Sequence, residues 1–529
     1  MSFKLIEKSL FIKSIMLLFF MVYSFYSNQE DVENTHPNII IIYADDVGYG
    51  DLSSYGAELI QTPNIDQLAA EGIRFTDAYA TASTCTPSRY SLLTGVYAFR
   101  NPGAQVLAGD APMLIEPGSL TLPGVLQEAG YRTSIVGKWH LGLGDGNLDW
   151  NSTITPGPLE VGFDESFLLP ATNDRVPTVY VDGHYVYNLS EEDDPLRVSY
   201  GEPIGELPTG HSHPELLRYA ADDQHSGTIV GDISRIGYMD GGQLAWWDDE
   251  EMAFVFAERS ERFIRENAGE EQPFFLYLSM HENHVPRAPH PQFVGTSGVG
   301  LRGDTVHELD WVVGDIIRVL EELDIRDETM IIFSSDNGPV LFDGYEDGAL
   351  ENHNDHDPNG GFRGGKYIAF EGGTRLPLIL SWPDGVEKGL VSDALISQVD
   401  LLASFASLTG VDLSGYDQLD SSDLIETLTG RTEQGNEFVI QQSSDGLAIR
   451  KGHWKYIEPG NRAGWAYTRH NLGATPLNIE PLGEGEYLFN LEDDPRETTN
   501  LAEEHPEKLQ ELRTLLGEVR DTPLREMRR

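Results

Sequence analysis

Several short clusters of ionisable residues in this chain could act together. Asp45-Asp46 and Ser335-Asp336-Asn337-Gly338 each follow an apolar run. Asp45, Asp46, Asp336 and Asn337 make an all-oxygen donor set, which suits a hard cation such as Ca²⁺, with Mg²⁺ also possible, and not Zn²⁺. Lys138 and His140 stand together in Gly137-Lys138-Trp139-His140, His281 and His284 lie in one short segment, and Lys366 closes Gly364-Gly365-Lys366. Cys85 is the only cysteine in 529 residues. It cannot form a disulfide within the chain, so its presence suggests chemistry rather than a staple. In Cys85-Thr86-Pro87-Ser88-Arg89 the proline fits a first helical turn, which Tyr90, Leu92 and Leu93 continue. Cys85 is therefore expected at or just before a helix N-terminus, where free N–H groups and the dipole favour an anion. Arg89, one turn on, falls on the same side.

The elements that must position these residues can be read from the apolar patterning. Pro37 to Ala44 is a buried-strand run ending at Asp45. Thr62-Pro63 opens a helix, with Thr62 as its cap and Gly72 as its stop. Leu122 to Ala129 forms a second helix, and Thr133 to Val136 a short strand leading to Lys138. Pro273 to Leu278 is a strand leading to His281 and His284. Val306 to Leu323 is a long amphipathic helix, followed by the strand Met330 to Phe333 before Asp336. This alternation predicts an α/β fold: a large mixed, mostly parallel sheet covered by helices on both faces. Sites in such sheets form at the carboxyl ends of strands, so the four clusters are expected to converge on one edge. About residues 170–250 the periodicity is weak, which reads as long loops over the site. Beyond about residue 435, four short strands (Phe438 to Gln441, Leu447 to Arg450, Trp454 to Ile457, Tyr487 to Asn490) and a helix near Pro506 to Val519 predict a smaller antiparallel sheet with one helix. The expected partition is 1–28 leader, 29–434 catalytic α/β domain and 435–529 C-terminal α+β subdomain.

Composition narrows the partners. With 36 basic and 86 acidic residues the formal charge is −50, which argues against nucleic acid and anionic membranes as partners. An anionic substrate would need a local cationic pocket in an acidic body. Residues 1–28 read as a signal peptide: Lys4, Lys8 and Lys13 precede the apolar run Ile15 to Val22, and Ser24 and Ser27 offer cleavage positions. The run is short for a membrane span. A soluble, exported protein, periplasmic or secreted, without a span in its mature form, is expected.

Cys85-Thr86-Pro87-Ser88-Arg89 with Leu92-Leu93-Thr94-Gly95 resembles the signature of the type I sulfatases, in the alkaline phosphatase superfamily. Asp45-Asp46-Val47-Gly48-Tyr49-Gly50-Asp51, Gly137-Lys138-Trp139-His140-Leu141-Gly142, His284-Val285-Pro286, Ser335-Asp336-Asn337-Gly338-Pro339 and the Lys366 to Pro377 stretch are similar to further family elements. The resemblance extends over about residues 37–520. It implies that a maturation enzyme, reading the Pro-x-Arg motif on the unfolded chain, oxidises Cys85 to formylglycine, whose hydrate attacks sulfur. It places a divalent ion, most often calcium, on Asp45, Asp46, Asp336, Asn337 and residue 85. Arg89, Lys138 and Lys366 would bind sulfate, His140 would hydrogen-bond the hydrate, Asp336 would serve as base, and His284 would protonate the leaving alcohol. His281 is a competitor for that last role. Glu371 and Arg375 are expected to be structural.

The alcohol must be chosen by loops, with Asn173-Asp174-Arg175, His211, His213, His225, Arg235 and Trp246/Trp247 as candidates. Export, acidity and a loop-rich site suggest a sulfated carbohydrate, with algal polysaccharides such as ulvan or carrageenan the first expectation. Host glycosaminoglycans and aryl sulfates stay open. Two other functions fit the same residues: a phosphoester or phosphonate monoester hydrolase, and a non-catalytic binder of sulfated glycans.

Overall fold

In the computed structural model, the residues described are 36–416, 419–444, 446–460 and 485–522. The expected leader lies outside them. Ten strands form the main sheet: β1 (Asn38–Ala44), β2 (Ile73–Phe75), β3 (Arg132–Lys138), β4 (Glu165–Leu169), β5 (Val181–Asp182), β6 (Tyr185–Val186), β7 (Phe274–Ser279), β8 (Thr329–Ser335), β9 (Leu378–Ser381) and β10 (Leu390–Ser392). Their order is β10-β2-β9-β8-β1-β7-β3-β4-β5-β6. Neighbours in the central block β8-β1-β7-β3-β4 are parallel, and only β9 and β5 run against the rest.

Side-chain alternation along β1 explains why both faces are covered. Ile39, Ile41 and Tyr43 pack on one face and Ile40, Ile42 and Ala44 on the other, all essentially inaccessible. A strand apolar on both sides needs a helical layer on each. The helices that cover the sheet are α1 (Pro63–Glu71), α2 (Cys85–Thr94), α3 (Leu122–Glu128), α4 (Met252–Asn267), α5 (Gly300–Glu322) and α6 (Leu401–Thr409). Residues of α2, α3 and α6 join Ile39, Ile41 and Tyr43, whereas residues of α1, α4 and α5 join Ile40, Ile42 and Ala44. The expected two-sided sheet is thus present. Thr62 does not cap α1 through its side chain. Asp310 of α5 does so instead, accepting from the N–H groups of Asn64 at 3.0 Å and Ile65 at 2.9 Å. The long helix also starts at Gly300, six residues before the apolar stripe that predicted it.

Register fixes the site. Ala44 pairs with Ser335 and Tyr43 with Ser279, and Ser279 pairs with Gly137. Asp45 and Asp336 therefore leave adjacent strands side by side, with Lys138 close by. Gly137 adopts φ +105°, and a Cβ there would meet the Ser279 carbonyl at 2.0 Å, so only glycine lets β3 approach β7 just before Lys138.

The second sheet is antiparallel: β11 (Phe438–Gln442), β12 (Leu447–Lys451), β13 (Trp454–Ile457) and β14 (Tyr487–Asn490). It packs on α7 (Pro506–Asp521) through Ile440, Ile449, Leu488, Leu512 and Leu516. Buried ion pairs join it to the main body. Lys455 on β13 lies 2.9 Å from Glu371 and 3.1 Å from Glu497, all three fully buried, and Arg450 bonds Asp77 at 2.6 Å. No helix among the described residues is long and apolar enough to cross a membrane. Replacing Lys455 by Met takes the cation from buried Glu497 and leaves Glu371, among the described residues, only Arg375, at 3.2 Å, and Arg450, at 3.9 Å. Urea denaturation is expected to show a loss of about 3–5 kcal/mol, and a loss below about 1 kcal/mol would mean that this pair does not hold the second sheet in place.

Candidate active site

The carboxyl ends of β8, β1, β7 and β3 deliver the predicted clusters to one place. Cys85 opens α2 after the extended residue Thr84, and its Sγ lies 3.6 Å from Asp45 Oδ1. Arg89 points inward along the same helix. Its Nε donates to Asp336 Oδ2 at 2.9 Å, and its guanidinium lies 5.3 Å from the centroid of the Tyr43 ring. Lys138 Nζ bonds Asp45 Oδ2 at 2.5 Å and lies 3.7 Å from Asp336. Lys366 Nζ bonds Asp46 at 2.8 Å and Asp343 at 3.0 Å. Asn337 donates through Nδ2 to Asp46 Oδ1 at 2.7 Å. Asp46, His140 and Tyr367 all have left-handed backbones, a conformation non-glycine residues hold mainly where the surroundings impose it.

Charge is the organising quantity. Asp45, Asp46, Asp336 and Asp343 face Lys138, Arg89 and Lys366, so four carboxylates meet three cations, all buried. Burial and then the neighbouring Asp336 push the Asp45 carboxyl up to about 7. Burial also opposes ionisation of Asp336, but Arg89 and Lys138 outweigh it and hold that carboxyl at about 2. One ligand atom from each of Asp45, Asp46, Cys85 and Asp336 lies within 4.8 Å of the others, with Sγ marking where a formylglycine oxygen would stand. The Asn337 Oδ1 is buried without a partner among the described residues. These residues fit a divalent cation: the donors are hard oxygens, one of them is otherwise unsatisfied, and the carboxylates crowd at a cost that an ion would relieve. A divalent ion would also turn the cluster's one net negative charge into one net positive charge, the sign an anionic substrate requires.

Above this floor opens a cavity of about 580 Å³, lined by Cys85, His140, Arg175, His225, His284 and Lys366 among others. Arg89 and Lys138 do not line it; they sit beneath, spent on Asp336 and Asp45. His140 Nε2 donates to the Leu107 carbonyl at 3.0 Å, which leaves its buried Nδ1 as an acceptor without a partner among the described residues. Burial and the Lys138 charge hold this ring neutral, well below its ordinary range. His284 donates from Nδ1 to the Val285 carbonyl at 2.6 Å, and its Nε2 lies 4.0 Å from Asp46. Burial and then Lys366 push His284 down to about 4. The competitor His281 packs edge-on against Phe256 and does not line the cavity. Burial, then Asp336, raises the Cys85 thiol well above its usual value. As a thiol it is a poor nucleophile, because the thiolate is the reactive form.

The loop candidates divide. Asp174, Arg175 and His225 line the cavity. Asp174 bonds Arg175 at 2.6 Å, and His225 bonds Asp222 at 2.6 Å and lies 3.5 Å from Asp174. Burial disfavours the charged ring, but Asp174 and Asp222 overcome it and raise His225 to about 9. Asn173 and Arg235 are structural: Asn173 bonds the Pro286 carbonyl at 3.1 Å, and Arg235 bonds Asn173 O at 2.8 Å and Asp249 at 2.5 Å. His211 and His213 are exposed and line no part of the cavity. Trp246 and Trp247 belong to a different cleft. Glu371 and Arg375 are structural, Glu371 bonding Lys455 and Arg375 the Thr76 carbonyl. Asp343, Tyr367, Gln224 and Gln442 were not found from sequence, since each sits in an irregular loop or at the end of a short strand without a telling neighbour.

A cation-ready carboxylate cluster at the edge of a mostly parallel sheet, beneath a cavity carrying lysine, arginine and histidine, is the architecture of the alkaline phosphatase superfamily. The family model described as Sulfatase matches residues 37–411. An N-acetylgalactosamine-6-O-sulfatase of Bacteroides thetaiotaomicron is 45% identical over 487 residues, covering 92% of this chain and 93% of its own. Arylsulfatase A of Bos taurus is 32% identical, covering 90% and 87% respectively. A solved structure from work on the metabolism of multiple glycosaminoglycans by Bacteroides thetaiotaomicron superposes with a TM-score of 0.87 at 44% identity, over 92% of this chain and 100% of that one. The chain belongs to the sulfatase family and is a sulfuric ester hydrolase.

Two measurements test this geometry. His225 titrates higher folded than unfolded, so its stabilisation is complete below about pH 6.5 and is lost as pH rises through about 9. His225→Gln is expected to cost about 3 kcal/mol at pH 6, with the gap to wild type closing by pH 10. A gap that does not change with pH would show that the ring is not charged. Ca²⁺ at about 100 times its dissociation constant is expected to stabilise the wild type by about 2.7 kcal/mol and Asn337→Ala less at the same concentration. Equal stabilisation of the two would remove Asn337 from the ligand set.

Proposed function

We propose that this is an exported carbohydrate sulfatase that removes the 6-O-sulfate of an N-acetylgalactosamine-type unit, using formylglycine made from Cys85. The observation that carries the reaction is the gathering of Asp45, Asp46, Asp336 and residue 85 within one ion's reach under a cationic cavity. The sugar is inferred from the relative that shares 45% identity over nearly the whole chain, and this supports an amino-sugar sulfate over ulvan or carrageenan. The Asp174–His225 pair and Arg175 on the cavity wall are suited to a sugar hydroxyl and a neighbouring anionic group. Export rests on the leader pattern of residues 1–28, and maturation on Cys85-Thr86-Pro87-Ser88-Arg89.

A formylglycine hydrate beside a bound Ca²⁺ would supply the nucleophile and a Lewis acid. The remaining work falls to the chain's own groups. Lys366, at the cavity wall, meets the sulfate oxygens. Arg89 and Lys138, one layer below, keep Asp336 ionised beside the reacting centre, and Lys138 opposes the rise of Asp45. Neutral His140 offers its free Nδ1 as an acceptor to a hydroxyl on residue 85. His284 has Nδ1 fixed on the Val285 carbonyl, so Nε2 carries the proton to the ester oxygen. An arriving sulfate cancels part of the Lys366 charge that holds His284 low, so substrate binding itself favours the protonated acid. The non-catalytic binder fits less well, because a pocket for binding alone has no use for this cysteine. The phosphoester reading is tested by matched esters.

Matured protein is expected to release sulfate from N-acetylgalactosamine 6-sulfate faster than from the 4-sulfate, and to act faster on a sulfate than on the matched phosphate ester. Cys85→Ala should be inactive. His284→Ala is expected to lose about 10²–10⁴-fold on sugar sulfates but much less on 4-nitrophenyl sulfate, whose leaving group needs little help. An equal loss on both substrates would exclude His284 as the acid.

A further inference from the structure

Trp246 and Trp247 line a second cleft of about 360 Å³ together with Tyr180 and Tyr187. No described residue lines both this cleft and the catalytic cavity. One wall is the 244–248 loop. The other is α4, whose Val255, Glu258, Arg259 and Arg262 recur at helical spacing on a single face.

We propose that this cleft is a non-catalytic saccharide site that takes a neutral pyranose unit of the carbohydrate. It rests on the reading above for the class of ligand only. The Trp246 and Tyr187 rings are half-buried and offer the faces on which the C–H side of a pyranose packs. Tyr187 is held in place: the Arg259 guanidinium lies 4.5 Å from its ring centroid and 4.0 Å from that of Phe167, and bonds Asp182 at 3.0 Å. A ring already held in place loses little freedom on binding. The second, independent observation is the Tyr180 hydroxyl. Tyr180 is 6% exposed, and its oxygen is buried with no partner among the described residues. Buried hydroxyls are nearly always paired, and a sugar hydroxyl in the cleft would pair this one.

Charge selects the kind of sugar. Asp248, Glu251 and Glu258 line the cleft. Arg259 is spent on Asp182, which leaves Arg262 as the one lining cation without an ion pair among the described residues. Three carboxylates against one free guanidinium repel a sulfate ester or a uronate but accept hydrogen bonds from neutral hydroxyls. The catalytic cavity is lined by Lys366, Arg175 and His225 against Asp174 and Asp343, a balance of the opposite sign to the three carboxylates and two guanidiniums that line the cleft. The two clefts are thus complementary to a sulfated and an unsulfated unit.

Saturation-transfer NMR on the full chain tests this, with N-acetylgalactosamine and galactose as neutral probes and glucuronic acid as the anionic one. The expected result is binding of the neutral sugars that weakens about tenfold in Trp246→Ala, also weakens in Glu258→Ala, and persists in Arg175→Ala, with glucuronic acid the poorest ligand. Trp246 packs on the core, so Glu258→Ala, on the exposed face of α4, carries the test should Trp246→Ala fail to fold. Glu258→Ala should retain wild-type turnover of 4-nitrophenyl sulfate. The proposal is overturned if neither neutral sugar binds, if Glu258→Ala binds them as wild type does, if Arg175→Ala abolishes binding, or if glucuronic acid binds best. Failure of the substrate reading would show separately, as no sulfate release from N-acetylgalactosamine 6-sulfate by the wild type.

Discussion

Everything at this site depends on holding four carboxylates against three cations where water does not reach. Two adjacent parallel strands, β1 and β8, end in acids that the register places side by side. Isolated charges so placed would cost many kcal/mol or take up protons. Lys138, Arg89 and Lys366 oppose this from below and from the side, each bonded to a carboxylate. The balance is left one charge short, and the raised Asp45 carboxyl shows where the shortfall falls. A cluster of this composition fits a divalent ion, which would give it the sign that attracts an anion. The chain's large negative charge is no obstacle, since the field that matters acts over a few ångströms within a buried floor.

The scaffold around the site is fastened by similar means. The segment leading to Cys85 makes a β-bridge from Ala82 to Gln442 at the end of β11, and Ser83 O accepts from Tyr367 N at 2.7 Å. The C-terminal sheet therefore reaches the cavity wall and touches Ala82 and, through Gln442 O at 2.8 Å, Ser83, the residues that lead into the Cys85 turn. Its own position is held by Lys455 between Glu371 and Glu497 and by Arg450 on Asp77. Glu371 lies five residues after Lys366, so the clamp that seats the second sheet also anchors the loop carrying the cavity-lining lysine.

The central fold was legible because its strands are apolar on both faces and end abruptly in acids, a pattern that survives in one dimension. The Cys85 helix was legible for a similar reason: Pro87 and the apolar residues after it define its start without outside help. The loop residues were not. Asp174, Arg175 and His225 reach the cavity, whereas His211, His213 and Arg235, equally suggestive in type, do not. Nothing local distinguishes them, because their placement depends on how a long segment with little regular structure folds back on the sheet. The cap of α1 is a smaller case: Thr62 has the right chemistry, but Asp310 from α5 arrives with better geometry.

The sequence by itself determined the chemical parts: a lone cysteine before a helical turn, hard-oxygen donors at strand ends, and lysines and histidines at fixed spacings beside them. Residue type and local periodicity carry that information. Only the tertiary structure decided which cations face the open cavity and which lie beneath it, that His284 rather than His281 points inward, and that Trp246 and Trp247 serve a cleft of their own. Those outcomes depend on strand register and on contacts between residues hundreds of positions apart, such as Lys366 with Asp46, which no short-range pattern encodes.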